Sequence, residues 1–300
     1  MNTGVPHLCV CICTFKRPQL LAKLLAALEN QKTDNRFTYS AVVVDNDASA
    51  SARETCTQAA GKSRFAIRYA VETQQSIAMA RNRAMAESVG DFLAFIDDDE
   101  YPPAEWLLLL FQTCEAAQVT GVLAPVRPDY ESPPPKWAVK SGLFDRPEYP
   151  TGTPLSWRDT RTGNALVRRS VLAEIHPPFR PEFANGGEDQ DFFRRLIERG
   201  HKFIWCNEAA VFELVPADRV SRRYMCRRAL LRGQNERHML NFRSVAKSMV
   251  AAFLYALVLP VLLLLGQHVF LRYLIRFCDH AGKLCAAMGI NPMGTRYLSG

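Results

Sequence analysis

No glycine-rich turn follows the first apolar stretch of this 300-residue chain. The residues there read Cys-Thr-Phe-Lys-Arg-Pro, so the G-x-G-x-x-G fingerprint is missing and a dinucleotide-binding oxidoreductase is disfavoured. A nucleotidyltransferase would carry a glycine-rich basic loop at the same place, and is disfavoured for the same reason. Internal repeats and low-complexity tracts are also missing, which argues against solenoids and propellers. The N-terminus shows no basic segment leading into an apolar run, so no signal peptide is expected. The cysteines number nine, an odd count, and none has zinc-type spacing with partner ligands. Cys9, Cys11 and Cys13 alternate, share one face of a strand, and read as buried thiols of a reducing compartment.

Charge is missing from one long stretch. Ser248 to Leu271 contains no Lys, Arg, Asp or Glu, and such a run meets the roughly 18-residue requirement for crossing a bilayer. Its apolar residues lie all round rather than in a stripe, which favours a membrane segment over a core helix. Arg272, Arg276 and Lys283 follow it and basic residues precede it, so the positive-inside rule sets no orientation. Spanning, re-entrant and in-plane arrangements all stay open. Cutting the chain after about residue 243 should then remove an anchor and not a core element. Between Arg194 and Lys247 there are 13 Lys/Arg against 5 Asp/Glu, enough to account for the whole net charge of +7. With a membrane segment next to it, that basic density suits anionic lipid, and no nucleic-acid partner is expected.

What is present is an alternation. His7 to Phe15, Ser40 to Asp47, Phe65 to Glu72, Asp91 to Asp99 and Gly121 to Val126 read as strands, separated by helical patterns. Continuous apolar strands in this order predict an α/β fold, a mostly parallel sheet with helices on both faces. Ligands in such sheets bind beyond the carboxyl ends of the strands. Those ends carry Thr14, Asp45, Asp47, Asp97 and Asp99. From Arg127 to Trp157 the chain turns rich in Pro, Gly, Tyr and Trp, as binding loops do. Trp137 and Trp157 can stack on a sugar, although core packing is the commoner use of tryptophan. Asp218 to Leu240 reads as a basic helix.

Ile96-Asp97-Asp98-Asp99-Glu100 is the sharpest signal. Adjacent carboxylates repel one another and favour a cation between them. Asp97 and Asp99, two apart on a strand end, point the same way, and hard oxygen ligands without His or Cys suit Mn²⁺ or Mg²⁺. A solvated acidic loop capping the next helix is the plain alternative.

Taken in order, five motifs resemble those of the family 2 glycosyltransferases, which have the GT-A fold. They are Thr14-Phe15-Lys16-Arg17-Pro18, Val44-Asp45-Asn46-Asp47-Ala48-Ser49, Ala80-Arg81-Asn82, Asp97-Asp98-Asp99, and Gly186-Gly187-Glu188-Asp189-Gln190-Asp191. Within that family the chain is similar to the succinoglycan-type exopolysaccharide subgroup, through FIDDDE, GNALVRR and its C-terminal hydrophobic segment. The resemblance implies a domain over residues 1–240, with 1–100 binding the nucleotide, 101–215 the acceptor and 216–240 a basic helix, followed by a membrane-associated segment over 241–300. It implies that Thr14, Arg17, Asp45, Asp47, Arg81, Asp97 and Asp98 bind a nucleoside-diphosphate sugar, Asp45 through the nucleobase. Asp97 and Asp99 would hold the metal. Asp189 would be the general base, with Glu188 as its competitor, and Gly163 and Asn164 would lie beside the acceptor. The late His of many relatives is missing, Glu213 and Arg219 standing in that region, so the third metal ligand is unassigned. With no Q-x-x-R-W signature, one sugar per acceptor is expected. The expected setting is the cytoplasmic face of the inner membrane, with a saccharide or lipid-linked saccharide acceptor and membrane lipid as partners. A catalytically inactive nucleotide-binding scaffold would keep the fold but lose the acids, and all are present.

Overall fold

The computed structural model describes residues 4–183, 186–235 and 240–291. They form two compact units. The first comprises the chain up to Arg127, Arg146 to Phe183, and Glu188–Leu214; the second comprises Pro128–Asp145, Gly186-Gly187 and the chain from Val215.

The first unit opens with β1 (His7–Thr14), α1 (Pro18–Leu28), β2 (Thr38–Asp45), α2 (Arg53–Ala60), β3 (Ala66–Val71), α3 (Ile77–Glu87) and β4 (Phe92–Ile96). The short β5 (Glu100–Tyr101), α4 (Trp106–Ala117), β6 (Gly121–Leu123) and β7 (Val126–Tyr130, running out of the unit) come next. After α5 (Lys136–Ser141) of the second unit, β8 (Asn164–Arg168), α6 (Glu188–Ile197), β9 (Phe203–Trp205) and β10 (Val211–Val215) follow. The main sheet has the order β3-β2-β1-β4-β8-β6-β9. Its strands are parallel except β8, which is antiparallel to both of its neighbours.

Both faces of this sheet are covered, which is why its strands read as unbroken apolar runs. Leu8, Val10 and Ile12 pack with Leu21, Leu24 and Leu28 of α1 and with Trp106 of α4. The intervening Cys9 and Cys11 face the other way, onto Ala78, Ala80 and Ala84 of α3 and the Phe192-Phe193 pair of α6. Alanines there let α3 approach the sheet closely. Register then gathers the chain's polar ends along one edge. Thr14 stands opposite Asp45, and Asn164, the first residue of β8, stands opposite Ile96, the last of β4.

Asn164 fastens that edge. It accepts from Trp106 Nε1 at 2.8 Å and donates to the carbonyls of Pro125 and Ala209 at 2.9 and 2.8 Å. Asn164→Leu would orphan an indole N–H and two buried carbonyls, at about 1–3 kcal/mol each. Denaturant unfolding should show a loss on the order of 3 kcal/mol or more.

The second unit is helical: α5, α7 (Arg222–Asn235), α8 (Phe242–Leu264) and α9 (Gln267–Ala287). Helices α7 and α9 run parallel. Arg222 Nη2 donates to Gln267 Oε1 at 2.6 Å at their first turns, and Arg232 Nε donates to Asp279 Oδ1 at 2.8 Å two to three turns on. Their backbones touch at Gly233 and Gly282, where an added Cβ would lie 2.1 Å from the Asp279 carbonyl oxygen and 2.2 Å from that of Leu230. Only glycine fits such an approach. Met225, Ala229, Ile275 and Cys278 form the core here, with Trp137 packed on it. Helix α8 folds back antiparallel along α9, with Ser248 Oγ 3.2 Å from His280 Nδ1 and the Tyr255 and Tyr273 rings 5.9 Å apart.

Three expectations bear on this unit. The basic helix, assigned by sequence to the first domain, packs within the C-terminal unit and spans Arg222–Asn235, while residues 236–239 lie outside the described residues. Residues beyond 243 are not merely an anchor, because α9 supplies Ile275 and Cys278 to the buried cluster it forms with α7. Trp137 is partly buried and packs against this core, the commoner use of tryptophan that the sequence reading favoured.

Candidate active site

The chemistry-bearing residues of the first unit meet where β1 and β4 end. Thr14, the last residue of β1, donates through Oγ1 to Asp98 Oδ2 at 2.7 Å. Arg17, one turn on, lies 3.1 Å from both Asp98 Oδ1 and Asp99 Oδ2. The acidic triplet therefore splits by task. Asp98 turns inward and is buried, and that burial pushes its carboxyl up to about 6 against the pull of Arg17. Asp97 is the open one, its side chain 47% exposed, with Arg81 Nη2 at 3.5 Å. Glu100 is buried beneath them and accepts from the Asp97 backbone N–H at 3.1 Å. Burial, then Asp97 and Asp99, hold its carboxyl well above the usual range. Gly163 closes the floor: a Cβ there would lie 2.9 Å from Glu100 Oε1 and 3.4 Å from Asp97 Oδ2.

The Ala80-Arg81-Asn82 segment on α3 is placed by two different side chains. Asn82 exchanges a pair of hydrogen bonds with the Phe179 backbone, at 2.7 and 2.9 Å. This leaves Arg81 lying over the Phe179 ring, with its guanidinium paired to Glu188 and reaching Asp97. Glu188 is buried at the start of α6, its Oε2 without a hydrogen-bond partner among the described residues. Burial outweighs Arg81 and raises its carboxyl to about 7. Asp189, the next residue, is half-buried and accepts from the Gln190 N–H at 2.7 Å. Gly186 and Gly187 lead into this helix with φ of +125° and +88°, a backbone that only glycine adopts without strain. Asp191 does not join the group. It is buried against Arg180, Arg194 and Arg195.

At the end of β2 the carboxylates are enclosed. Asp45 is 0% exposed, and its two oxygens already accept from the N–H groups of Asp47 and Ala52 at 3.1 and 2.7 Å and from Tyr69 Oη at 3.0 Å. With no open surface and three hydrogen bonds accepted, it holds the turn into α2. Asp47 likewise accepts from Ser49, N–H and hydroxyl, and is buried. Neither residue joins the group around Asp97.

Sequence reasoning missed Glu100 and Arg146. Arg146 pairs with Glu213, the residue opposite Glu100 where β10 meets β5. It also lines a cleft with Tyr149, Arg158, Arg161, Asn164 and Trp205. A lone arginine in a Pro-rich loop gave no signal. Among the described residues no cluster of three His, Cys, Asp or Glu is close enough to hold a metal by itself. Asp97 and Asp99 fit a divalent cation in their chemistry, being hard oxygen ligands of which Asp97 is open, and they would need other ligands to complete its shell.

With this geometry in place, comparison with known proteins decides the family. Residues 9–176 match the pattern described as Glycosyl transferase family 2. The succinoglycan biosynthesis protein ExoM of Rhizobium meliloti (strain 1021) is 34% identical over 235 residues, 78% of this chain and 75% of that protein. This chain belongs to glycosyl transferase family 2. It is a glycosyltransferase, which sets aside the oxidoreductase, nucleotidyltransferase and inactive-scaffold readings. The glycosyltransferase AglE of Haloferax volcanii is 26% identical over 226 residues, 71% of this chain and 70% of its own. The fold is GT-A. S. aureus TarS superposes with a TM-score of 0.55 at 15% identity, covering 95% of this chain but only 55% of that longer one. A shorter form, TarS 1-349 in complex with UDP, gives 0.53 at 15% identity, covering 94% and 90%.

Proposed function

We propose that this family 2 glycosyltransferase moves one sugar, with inversion, from a nucleoside-diphosphate donor, UDP-linked by preference, to a saccharide acceptor in exopolysaccharide or cell-surface glycan synthesis. The observation that carries it is the convergence of Arg17, Arg81, Asp97, Asp99, Glu188 and Asp189 on one edge of the sheet. Thr14, Arg17 and Asp98 form a braced platform whose cation suits a diphosphate. Asp97 and Asp99 are the residues that would hold Mn²⁺ or Mg²⁺, which when bound supplies positive charge against the departing diphosphate. Asp189 is the base that takes the acceptor hydroxyl's proton: its carboxylate is open enough to be reached, whereas Glu188 is committed to Arg81. Asp45 and Asp47 serve the donor by shaping the nucleobase end of the cleft. The ExoM relative's role in succinoglycan biosynthesis supports the polysaccharide setting.

The acceptor, a lipid-linked saccharide at the cytoplasmic face of the inner membrane, enters by the cleft of Arg146, Arg158 and Arg161. Charged hydrogen bonds of the kind arginine makes to phosphate contribute about 1.5–3 kcal/mol. Arg158→Ala should therefore raise acceptor KM about tenfold or more and leave donor KM unchanged. The reading as a whole is tested by screening UDP-, GDP- and dTDP-sugars for protection against thermal unfolding, with and without Mn²⁺. One nucleotide class should raise Tm. No protection by any of them would sink it.

A further inference from the structure

Helix α8 is long and apolar enough to cross a membrane, and most of it is unburied. At about 1.5 Å per residue its 23 residues would cover a hydrocarbon core of about 30 Å, so length alone does not say how it meets lipid. Its neighbours do. Along α8 a narrow stripe, Ser248, Ala252, Tyr255 and Leu259, turns to α9, and the rest, including Phe253, Leu257, Val261 and Leu264, is exposed. On its other side α9 is fixed to α7 over most of α7's length, from Arg222–Gln267 to Gly233–Gly282, and to α5 by Arg272 Nε donating to the Ser141 carbonyl at 2.9 Å.

The three helices are thus side by side and level. If α8 stood across a bilayer, α7 would stand across it too, and Arg222, Arg223, Arg227, Arg228 and Arg232 would lie at hydrocarbon depth. Charges at such depths are rare and strongly disfavoured. The turn at Gly266 leads to the same objection for a re-entrant hairpin. Its end of the bundle carries Arg222 and Arg223, both exposed, and adjoins α5 with exposed Lys136 and Lys140, which belong with water and headgroups.

We infer that α8 lies in the plane of the membrane, sunk to one leaflet by its exposed apolar side, with α9 and α7 stacked above it toward water. The occupant of this face is an anionic lipid surface. Arg243 and Lys247, both exposed at the first turns of α8, supply the complementary charge at the lipid surface. This deepens the membrane reading above, and its test separates the two failures.

The full chain carrying Lys247→Cys or Gln267→Cys, at either end of α8, is placed in sealed vesicles of defined sidedness with 30% phosphatidylglycerol, then treated with an impermeant maleimide. Peptide-resolved mass spectrometry distinguishes the new thiols from the nine native ones. Both sites should label from the same side without permeabilisation. Labelling of the two from opposite sides means a span, and protection of residue 267 from both sides means a re-entrant hairpin; either overturns the in-plane arrangement but keeps membrane binding. A chain that does not sediment with the vesicles, and is dimeric in analytical ultracentrifugation, overturns both.

Discussion

Replacing Asp189 with Asn should lower turnover by about 10²–10⁴-fold, the usual contribution of a positioned general base. Donor protection in a thermal melt should stay as in the parent, because the side chain is half-buried and its structural bond is to the adjacent Gln190 N–H, which an amide oxygen can still accept. A fall in kcat with unchanged donor binding marks a group that acts in the transition state. Glu188→Gln should behave differently. It leaves the buried Arg81 guanidinium with only the longer contact to Asp97, so Tm and donor binding should drop together. The pH profile adds a check. The Glu188 carboxyl sits near 7, above its unfolded value, so the native protein holds a proton that the unfolded chain has released between about pH 4.5 and 7. The sign is that this residue's contribution to stability declines as pH rises through that window, and Glu188→Gln should flatten the dependence. If Asp189→Asn turns over normally while Glu188→Gln is inactive yet fully folded, the base is Glu188.

Asp97→Asn should weaken Mn²⁺-dependent donor binding and turnover by on the order of 10²-fold or more, the scale of several kcal/mol of charge stabilisation. The fold should survive, since this carboxylate is open and meets Arg81 only at 3.5 Å. The neighbouring aspartates provide the contrast. Asp98→Asn should destabilise, because Thr14 and Arg17 both close on that carboxylate in a buried place. Asp99→Asn should give a smaller loss than Asp97→Asn, its charge being shared with Arg17. Isothermal titration of donor with and without chelator reads all three. Equal affinity of the Asp97→Asn protein in Mn²⁺ and in excess chelator, matching that of the parent, would remove the metal from this site.

How much of this was legible beforehand depended on range. The strands of the main sheet were readable because apolar runs such as Cys9 to Ile12 and Ala41 to Val44 are covered on both faces. The meeting of Thr14 with Asp98 was not, since parallel register brings together residues 84 positions apart. Sequence spacing pointed Asp97 and Asp99 the same way, but it could not show that Arg17 would take up Asp99. The enclosure of Asp45 was hidden for a related reason. A carboxylate at a strand end looks available until Tyr69, on the next strand, is seen to donate to it. The C-terminal half was hardest. Nothing in the basic stretch from Arg222 announces that two glycines, Gly233 and Gly282, will bind it to a helix almost fifty residues on.

That parallel pairing of α7 and α9 bears on how a lipid-free version could be made. The end of α7 and the start of α9 lie at opposite ends of the pair, so α8 is the return stroke between them. Excising it and rejoining the ends directly would force one helix to reverse and pull Gly233 away from Gly282. A polar replacement must instead bridge the length of α7, about 20 Å for its 14 residues. Extended chain covers about 3.3 Å per residue, so six or seven residues are the bare minimum and a dozen a practical one. Exchanging the exposed leucines and valines of α8 for polar helix formers in place, with Ser248, Ala252, Tyr255 and Leu259 retained, keeps the span without any such redesign.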